Sequence, residues 1–400
     1  MNLDKLRTTQ GLDVRGKRVL VRADLNVPAK DGRIGDATRL ERLVPGLAEL
    51  SARGAKVIVI SHFGRPKGRP EPEHSLAPVA AELGRLMRRP VPFAPDCVGP
   101  AAERAVAAMQ PGDVVVLENL RFHAGEENND PAFARALAAH GDLLIGDAFS
   151  CAHRAHASTE ALTHLLPSYA GPLMMAEINA LRSALDKPER PTAAVVGGAK
   201  VSTKIPVLTN LVAKVDKLII GGGMANTFLQ AQGIDVGRSL AEPDFGSTAR
   251  EIIAAAKAKG CEIVLPVDAV VAKELKAGAP ASVVDVRAVP AEAMILDVGA
   301  KSIWQMTKVL DRCATLLWNG PLGAFEIAPF GEGTFALARE AAANTERGIL
   351  KSIAGGGDTV AALNAAGVAG RFSYVSTAGG AFLEWLEGRE LPGVVALARG

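Results

Sequence analysis

Residues 351–363 read KSIAGGGDTVAAL, in which a glycine run is followed by Asp358 and Thr359. A glycine turn between a strand and the N-terminus of a helix presents backbone N–H groups to an anion such as phosphate. A carboxylate there would repel the anion unless a metal ion lay between them, and Mg²⁺ is commonly held by one or two carboxylates together with phosphate oxygens. Because Asp and Thr are also favoured helix N-caps, Asp358 alone does not establish such a site.

Similar glycine turns recur in the second half of the chain, in GGAKVSTK, KLIIGGGMANTF, TLLWNGPLGAF and SYVSTAGGAFLEWL. A single glycine turn usually reflects only the steric freedom of glycine. Several of them, with Lys200 and Lys204 beside one, favour a nucleotide site that includes Asp358 and Mg²⁺. The chain has no GxGxxG motif, and GLDVRGKR is not a P-loop because it ends in Arg18 and precedes a strand pattern.

Polar and charged side chains, not glycines, follow the strand patterns of the first half. Planar guanidinium groups match the oxygens of carboxylates and phosphates, so several Arg and His side chains at neighbouring strand ends favour a small, multiply anionic ligand. The residues concerned are Asp24, Asn26, Arg39, His62, Arg65, Arg121 and Arg154.

These residues must be positioned by the elements around them, which alternate between short Val/Ile/Leu-rich runs and Ala-rich helical stretches. The alternation is typical of an α/β fold whose parallel sheet is covered by helices on both faces. Ligands of such sheets bind at the carboxyl ends of the strands, so the two halves predict two different sites. A helical pattern from about Leu173 to Leu185, bracketed by Gly171-Pro172 and Pro188, predicts a rigid connector between two Rossmann-like lobes.

The composition restricts the class of protein. The 400 residues are 48% hydrophobic, and Lys plus Arg total 45 against 43 acids, which leaves a net charge of +2. This balance gives no general reason to expect binding to nucleic acid or to a membrane. The chain has no apolar run of roughly 18 residues, no signal-peptide pattern at its start and no CxxC spacing among its cysteines. We therefore expect a cytoplasmic globular protein of two or three domains with reduced thiols.

The motifs stand in a recognisable order along nearly the whole chain: VLVRADLNVP, Thr38-Arg39, SHFGRP, LENLRF, DAFSCAHRAHAS, GGAKVSTK, GGGMA, LWNGPLGAFE, GGGDT and VSTAGGAFLEWLEGRELPGV. In this order they resemble the phosphoglycerate kinase family. The resemblance implies a two-lobed monomer. Its N-lobe, residues 1–172 with the tail 387–400 packing back on it, would bind 3-phosphoglycerate or 1,3-bisphosphoglycerate. Its C-lobe, residues 187–386, would bind Mg-ATP or Mg-ADP, and an interdomain helix, residues 173–186, would join the two.

The resemblance also implies an activity and roles for individual residues. The reaction would be glycolytic, reversible phosphoryl transfer between 1,3-bisphosphoglycerate and ADP, in line and with hinge-bending domain closure. Arg39, Lys200 and Lys204 would be catalytic, and Asp358 would meet Mg²⁺ through the nucleotide. The substrate-binding residues would be Asp24, Asn26, Arg39, His62, Phe63, Gly64, Arg65, Arg121 and Arg154. The nucleotide-binding residues would be Lys204, Gly221, Gly222, Gly299, Asn319, Pro321, Glu326 (on the ribose), Gly356, Gly357, Asp358 and Thr359.

The chain departs from the family's pattern at three places. Ser150-Cys151 stand where Gly-Thr is usual, Ala300 replaces a proline, and Ala378 replaces a glycine. The Cβ of Ala378 restricts how closely that loop's backbone can approach the transferred group. None of the three changes removes a charged group, so we expect activity.

Two other classes of protein fit these residues less well. A hydride-transferring α/β enzyme should carry GxGxxG with an acid about 20 residues further on. A catalytically silent nucleotide-binding regulator would keep the glycine turns while losing Arg39 or Lys200, and both are present.

Overall fold

The computed structural model describes residues 3–30 and 32–399. The chain divides into two compact units, one formed by residues 1–178 together with 390–400 and the other by residues 179–389. The helix Pro172–Leu185 (α6) includes residues 173–185 of the predicted connecting segment 173–186, and the division between the units falls inside that helix.

The first unit is built on a sheet of six parallel strands. These are β1 (Arg18–Arg22), β4 (Lys56–Ile60), β5 (Phe93–Ala94), β6 (Val114–Leu117), β7 (Leu143–Gly146) and β8 (Ser168–Ala170). Their order across the sheet is β5-β6-β4-β1-β7-β8, and each neighbouring pair is parallel. A short antiparallel hairpin, β2 (Ala29–Lys30) with β3 (Arg33–Ile34), follows β1.

Helices cover both faces of this sheet, because successive side chains of a strand point to opposite faces. On β1, Val19 and Val21 pack in one apolar cluster, with the leucines of one helical layer, while Leu20 packs in a second cluster on the other face. The first layer contains α1 (Thr38–Ala52) and α2 (Ala77–Met87). The second contains α3 (Gly99–Ala107) and α5 (Pro131–Ala138). The remaining helices of this unit are α4 (Ala124–Glu127) and the C-terminal α14 (Pro392–Leu397).

The second unit repeats this plan. Its six parallel strands are β9 (Thr192–Val196), β10 (Lys217–Ile220), β11 (Glu262–Val264), β15 (Thr315–Asn319), β16 (Lys351–Gly355) and β17 (Tyr374–Ser376), in the order β11-β10-β9-β15-β16-β17. Its helices are α7 (Ile205–Leu211), α8 (Gly222–Ala231), α9 (Gly246–Lys259), α10 (Ala300–Leu310), α11 (Glu332–Glu346), α12 (Gly357–Ala365) and α13 (Gly380–Leu386). The predicted α/β class, with two helix-flanked parallel sheets, is confirmed.

The second unit also contains an antiparallel sheet that the sequence analysis did not predict. Its strands are β12 (Asp268–Ala272), β13 (Ala281–Asp285) and β14 (Met294–Val298), in the order β13-β12-β14. Ala269 and Val271 of β12 pack on Leu229 of α8, so this sheet forms a small apolar cluster of its own. The outer strand β13 is mostly exposed, and therefore carries no buried apolar run by which a strand is usually recognised.

Within residues 3–30 and 32–399, no helix has the length and apolar character that crossing a bilayer requires.

Candidate active site

The residues predicted to bind a small anion follow the carboxyl ends of neighbouring strands in the first unit. Asp24 follows β1 and His62 follows β4, while the helical turns Leu120–Phe122 and Phe149–Cys151 follow β6 and β7. Because β6, β4, β1 and β7 lie side by side, these segments meet at one edge of the sheet. The arrangement brings Asp24, His62 and Arg121 to the same edge, as their positions after the strands predict.

Asp24 is the centre of a polar network at this edge. Its Oδ2 atom lies 3.0 Å from Nη1 of Arg39, and the same Arg39 nitrogen donates to the backbone oxygen of Asn26 at 2.8 Å. The hydroxyl of Ser150 donates to Asp24 Oδ2 at 2.6 Å, and the backbone N–H of Asn26 donates to Asp24 Oδ1 at 3.0 Å. Both carboxylate oxygens of Asp24 are therefore engaged.

Arg39 is positioned by the start of α1. Oδ1 of Asp36 accepts hydrogen bonds from the backbone N–H of Thr38, at 2.9 Å, and from its hydroxyl, at 2.6 Å. These two bonds hold the pKa of Asp36 below its usual value, so its carboxylate is ionised at neutral pH. Arg39 consequently projects from the first turn of a helix whose N-terminus is fixed.

The loop after β4 is tied to its neighbours through Gly64. Its N–H donates to Oδ1 of Asn26 at 2.9 Å, and its carbonyl accepts from Nη1 of Arg121 at 2.8 Å. Gly64 has φ +62°, and a Cβ built on it would lie 1.9 Å from the ring of His74. The SHFGRP turn therefore requires glycine here, and Gly64 links two predicted substrate-binding residues.

Asn119 organises the same region and was missed by the sequence analysis. It is fully buried, and its Oδ1 atom accepts from the backbone N–H groups of Phe63, at 3.1 Å, and Arg121, at 3.0 Å. Its Nδ2 atom donates to the backbone oxygens of Phe63 and His74. The Phe63 side chain lies in the apolar core, so its own contribution to the edge is the backbone that Asn119 holds. The only signal in the sequence was its place inside LENLRF.

A group of basic side chains is buried beside His62. Arg22, which the sequence analysis also missed, is only 2% exposed, and its Nη2 atom lies 3.3 Å from Nδ1 of His62. Burial, reinforced by the charges of Arg22 and Arg121, holds the pKa of His62 well below its ordinary 6.5. Burial and the same two charges lower the pKa of His156 to about 4. Both imidazoles are therefore neutral at pH 7, so His62 offers hydrogen bonds rather than charge.

The charge of Arg22 is connected to a buried carboxylate through a serine. Nε of Arg22 donates to Oγ of Ser158 at 2.8 Å, and that hydroxyl donates to Oε1 of Glu126 at 2.6 Å. Glu126 is fully buried, which raises its pKa, while the charge of Arg22 opposes the rise. The chain Arg22–Ser158–Glu126 thus fixes the guanidinium beside His62.

The last two predicted arginines and the neighbouring thiol have different surroundings. Arg65 and Arg154 are exposed, and Arg154 is close enough for its charge to lower the pKa of His62. Cys151 is buried, with Sγ 3.7 Å from Nδ1 of His62, and burial raises the pKa of its thiol. A protonated thiol is a poor nucleophile, so Cys151 and His62 do not form a nucleophilic pair.

In the second unit, Lys204 lies at the carboxyl ends of β9 and β15. Its Nζ atom donates to Oδ1 of Asn319, whose Nδ2 atom donates to the carbonyl of Gly355 at 2.8 Å. Burial lowers the pKa of Lys204, and the carboxylates of Asp358 and Glu387 oppose that shift. A partly buried lysine that faces carboxylates through space is a counter-charge available to an anion.

The turn that carries Lys200 is fixed by a carboxylate from another segment. Glu242 accepts hydrogen bonds from the backbone N–H of Ser202 at 2.9 Å and from its hydroxyl at 2.6 Å. These bonds lie in the helical turn Val201–Thr203, which directly follows Lys200. Lys200 itself is exposed, so its position depends on this turn.

Two glycine turns at the same edge leave no room for a side chain, one against the backbone of Gly198 and the other against the side chain of Asn319. Gly222 has φ +67°, and a Cβ on it would lie 2.6 Å from the carbonyl oxygen of Gly198. Gly356 has φ +99° and precedes α12, whose Thr359 hydroxyl accepts from the N–H of Gly320 at 2.7 Å. Thr359 therefore holds two strand ends together, in addition to the phosphate contact that the sequence predicts for it.

A cavity of about 440 Å³ opens beside these turns. Predicted nucleotide-binding residues lie on its wall: Gly222, Pro321, Glu326 and Asp358. The cavity wall therefore includes the backbone of Gly222 and two carboxylates, those of Asp358 and Glu326. Its volume is in the range of pockets that bury a small ligand.

The other predicted nucleotide-binding residues are not part of this wall; they are Lys204, Gly221, Gly299, Asn319, Gly356, Gly357 and Thr359. Asn319 and Thr359 are buried and hold the strand ends by the hydrogen bonds described above. Gly299 packs on Asp268, because a Cβ there would lie 2.4 Å from that carboxylate. Asn319, Thr359 and Gly299 therefore support the site from beneath and do not line the cavity.

The apolar part of the cavity wall was not predicted from the sequence. It is formed by Leu240, Leu275 and Val286 together with Met294 of β14 and Phe325. Their segments are separated in the chain by up to about 85 residues, and nothing in the local pattern marks them as neighbours. An apolar slot with a few polar groups is suited to a flat heteroaromatic group.

The residues around Asp358 are compatible with a Mg²⁺ ion. Asp358 lies in the first turn of α12, is exposed and borders the cavity beside Gly222. Mg²⁺ keeps several waters and is typically bound through one or two carboxylates plus the phosphates of a nucleotide. A single exposed carboxylate next to a phosphate-sized glycine turn fits that donor set.

Comparison with known proteins extends over nearly the whole chain. The family model described as phosphoglycerate kinase matches residues 9–389. The phosphoglycerate kinase of Methylorubrum extorquens (strain PA1) is 63% identical over 384 residues, 96% of each chain. That of Sinorhizobium fredii (strain NBRC 101917 / NGR234) is 62% identical over 382 residues, again 96% of each chain.

Solved structures show the same similarity. The phosphoglycerate kinase from Coxiella burnetii superposes with a TM-score of 0.92 at 42% identity, covering 98% of this chain and 99% of that one. The enzyme from Pyrococcus horikoshii OT3 has a TM-score of 0.82 at 29% identity and covers 98% of both chains.

Proposed function

The chain belongs to the phosphoglycerate kinase family, and on that premise we propose how its own residues perform the family's reaction. It is a phosphotransferase with a carboxyl group as acceptor, and it catalyses reversible phosphoryl transfer between 1,3-bisphosphoglycerate and ADP, giving 3-phosphoglycerate and ATP. The observation that carries this conclusion is the 63% identity over 96% of both chains. A coupled assay with 3-phosphoglycerate and Mg-ATP, repeated with each substrate omitted, tests it directly.

The carboxyl edge of the first unit is the proposed site of the phosphoglycerate. Asp24 and Asn26 would contact the glycerate body, and the arginines with neutral His62 would hold its phosphate. The acceptor is a carboxylate, which is ionised at neutral pH, so the reaction needs no general base. The neutrality of His62 and His156 agrees with a site that binds by hydrogen bonds and arginine charge instead of by proton transfer.

The second unit is the proposed nucleotide site. The base would enter the apolar part of the 440 Å³ cavity, Glu326 would contact the ribose, and the turns at Gly222 and Gly356 would approach the phosphates. Lys200 and Lys204 would neutralise charge on the phosphates and on the group in transfer. Bound through Asp358, Mg²⁺ would offset the charge of the nucleotide phosphates. Positioning and charge neutralisation are the main catalytic terms in phosphoryl transfer.

Asp358→Asn is expected to weaken use of the Mg-nucleotide while leaving 3-phosphoglycerate nearly unaffected. The N-cap position of α12 is Gly356, and Asp358 lies within the first turn, so the alternative that Asp358 is the N-cap is wrong. The change removes a ligand charge while keeping the size of the side chain. Loss of groups that only support metal ligands already costs about 10 to 100-fold in metal affinity, so we expect at least tenfold more Mg²⁺ to be needed for half-maximal rate. Steady-state rates in a Mg²⁺ titration measure this.

Asp130→Asn is the matched control, because Asp130 caps α5 by accepting from the backbone N–H of Phe133 and is not a residue of the cavity wall. It should leave the Mg²⁺ dependence unchanged. A fall in the melting temperature of Asp358→Asn with normal kinetics would instead limit Asp358 to a favourable charge in the first turn of α12.

We also propose that the two units close when both ligands are bound. The residues proposed to bind the phosphoglycerate belong to one unit, and those proposed to bind the nucleotide belong to the other. In-line phosphoryl transfer needs the reacting atoms roughly 3 to 3.5 Å apart. Closure would also exclude water from the activated phosphoryl group. We expect 3-phosphoglycerate and Mg-nucleotide together to reduce the radius of gyration, measured by small-angle X-ray scattering, more than either does alone. Identical profiles in the free, binary and ternary states of an active preparation would rule out closure.

On the same family grounds we propose that the enzyme acts as a cytoplasmic monomer. All of its cysteines are buried free thiols: Cys97, Cys151, Cys261 and Cys313. Reduced thiols are the ordinary state of proteins in a reducing compartment, which supports the proposed location.

A further inference from the structure

Ser150 occupies an unusual position among the groups that hold Asp24. It lies in the turn Phe149–Cys151 directly after β7, and its hydroxyl donates to Asp24 Oδ2 at 2.6 Å. The same oxygen is the partner of Arg39 Nη1, at 3.0 Å. One carboxylate oxygen of a largely buried Asp24, 15% exposed, is thus shared between a positive charge and a hydroxyl.

Nη1 of Arg39 is held by Asp24 and by the backbone oxygen of Asn26. In its proposed role the guanidinium would turn toward the transferred phosphoryl group and give up part of its interaction with Asp24. The pair is partly buried, so Arg39 leaving it would leave the charge of Asp24 less well compensated, at a cost smaller than that of breaking a fully buried pair. The cost of that movement would appear in the barrier to transfer.

We propose that Ser150 is a positioning residue that keeps Asp24 satisfied while Arg39 turns toward the transferred phosphoryl group. This inference rests on the proposed roles of Asp24 and Arg39. A hydroxyl that donates to a carboxylate at 2.6 Å makes a charge-assisted hydrogen bond, about twice as strong as a neutral one. Together with the N–H of Asn26 on Oδ1, it leaves Asp24 with a partner on each oxygen after Arg39 departs.

Backbone hydrogen bonds fix the turn that carries Ser150. The N–H of Cys151 donates to the carbonyl of Ala148 at 3.0 Å, and the N–H of Ala152 donates to that of Phe149 at 2.9 Å. The Phe149 side chain is buried and anchors the turn in the protein interior. The hydroxyl is therefore held at Asp24 by backbone geometry. The departure from the family's usual glycine at this position places a donor where glycine has none.

The test compares Ser150→Ala and Ser150→Gly with Ser150→Thr, which restores a hydroxyl. We expect kcat to fall about two- to tenfold in the Ala and Gly variants, because the hydroxyl already donates to Asp24 in the ground state and only the stabilisation it adds when Arg39 turns away lowers the barrier. The KM for 3-phosphoglycerate should change less than about twofold, because Arg39 still pairs with Asp24 in the ground state. The threonine variant should recover most of the lost kcat.

Two further variants separate positioning from a general loss of structure. Ser51→Ala removes a buried hydroxyl that donates to the carbonyl of Gly112, before β6 and so at the opposite edge of the sheet, and should leave kcat unchanged. In an Asp24→Asn background, Ser150→Ala should have no further effect on kcat, since no carboxylate is left for it to satisfy.

Three outcomes would overturn the inference: an unchanged kcat in Ser150→Ala, a raised KM with normal kcat, or an undiminished effect in the Asp24→Asn background. Each of these leaves the proposed function intact as long as the wild-type protein turns over. A wild-type protein that fails the coupled assay would contradict the function itself. Thermal melts of all variants identify any loss of kcat that reflects unfolding, and the Gly and Thr variants keep the comparison decisive if Ser150→Ala is unstable.

Discussion

Arg39→Ala is expected to lower kcat by about 10³-fold or more while the affinity for Mg-ADP stays unchanged. An arginine directed at the transferred group stabilises charge that develops in the transition state, so its loss affects turnover more than ground-state binding. The substitution also frees Asp24, which keeps its hydrogen bonds from Ser150 and Asn26. The fold should therefore survive.

The measurement is steady-state kinetics of the coupled reaction, with nucleotide affinity from calorimetry. Arg85→Ala is a suitable control because Arg85 is an exposed arginine of α2 that pairs with Glu82. It should leave kcat unchanged, since an exposed ion pair contributes little. Arg39→Lys should recover only part of the rate, because an ammonium group does not match phosphoryl oxygens as a planar guanidinium does. Near-normal kcat with a raised KM for 3-phosphoglycerate would reduce Arg39 to a binding group.

The placement of the site at strand ends could be predicted from sequence because it depends on a local pattern and one general rule. Asp24, His62 and Arg121 each follow a buried apolar run, and parallel strands bring their carboxyl ends to one edge. The strand pattern therefore sufficed to group them. The same rule grouped the glycine turns of the second unit around Asp358.

The residues that hold the site could not be predicted in this way. Arg22 is the last residue of a mostly apolar strand, and the hydroxyl to which it donates, that of Ser158, is 136 positions away in the chain. Ser150 reaches Asp24 across 126 positions, and Asn119 reaches Phe63 across 56. Such pairs depend on strand order and loop length, which a hydrophobic pattern does not specify. Ser150 was visible only as a departure from the family's pattern, without a partner or a role.

The antiparallel sheet was missed for a related reason. Its strands carry a short apolar face, Ala269 and Val271 on β12, and an exposed outer strand, so their pattern is weaker than that of the buried parallel strands. The cavity wall depends on this sheet, through Met294 of β14. Because the sheet was not predicted, the apolar wall was not predicted either. The two acidic residues of the same cavity, Glu326 and Asp358, were predicted.

Lys204 combines two properties that make its substitution informative. It is partly buried and donates to Asn319, and burial lowers its pKa against the pull of Asp358 and Glu387. The pKa of Lys204 is lower in the folded protein than in the unfolded chain, so folding disfavours the charged ammonium group. At any pH below both pKa values the lysine is charged in both states, and this penalty on the stability of the fold is fully present. At pH 7 the charge of Lys204 therefore costs stability, which is the usual sign of a group kept for function.

Lys204→Met is expected to lower kcat by about 10² to 10³-fold, as the loss of one preorganised group that stabilises transition-state charge does in other enzymes. Methionine keeps the length and the buried aliphatic stem but removes the ammonium group, so the free energy of unfolding at pH 7 should stay equal or rise. Kinetics and urea denaturation of the same preparation measure the two effects. Lys217→Met, at the first residue of β10 and so at the opposite edge of this sheet, where Lys217 pairs with Glu262, should change neither. Substitution of a lysine that supports the fold would lower both kcat and the free energy of unfolding, so a fall in both quantities would contradict the proposed role. A fall in kcat alone would show that the charge of Lys204 acts in the transition state and not in holding the fold.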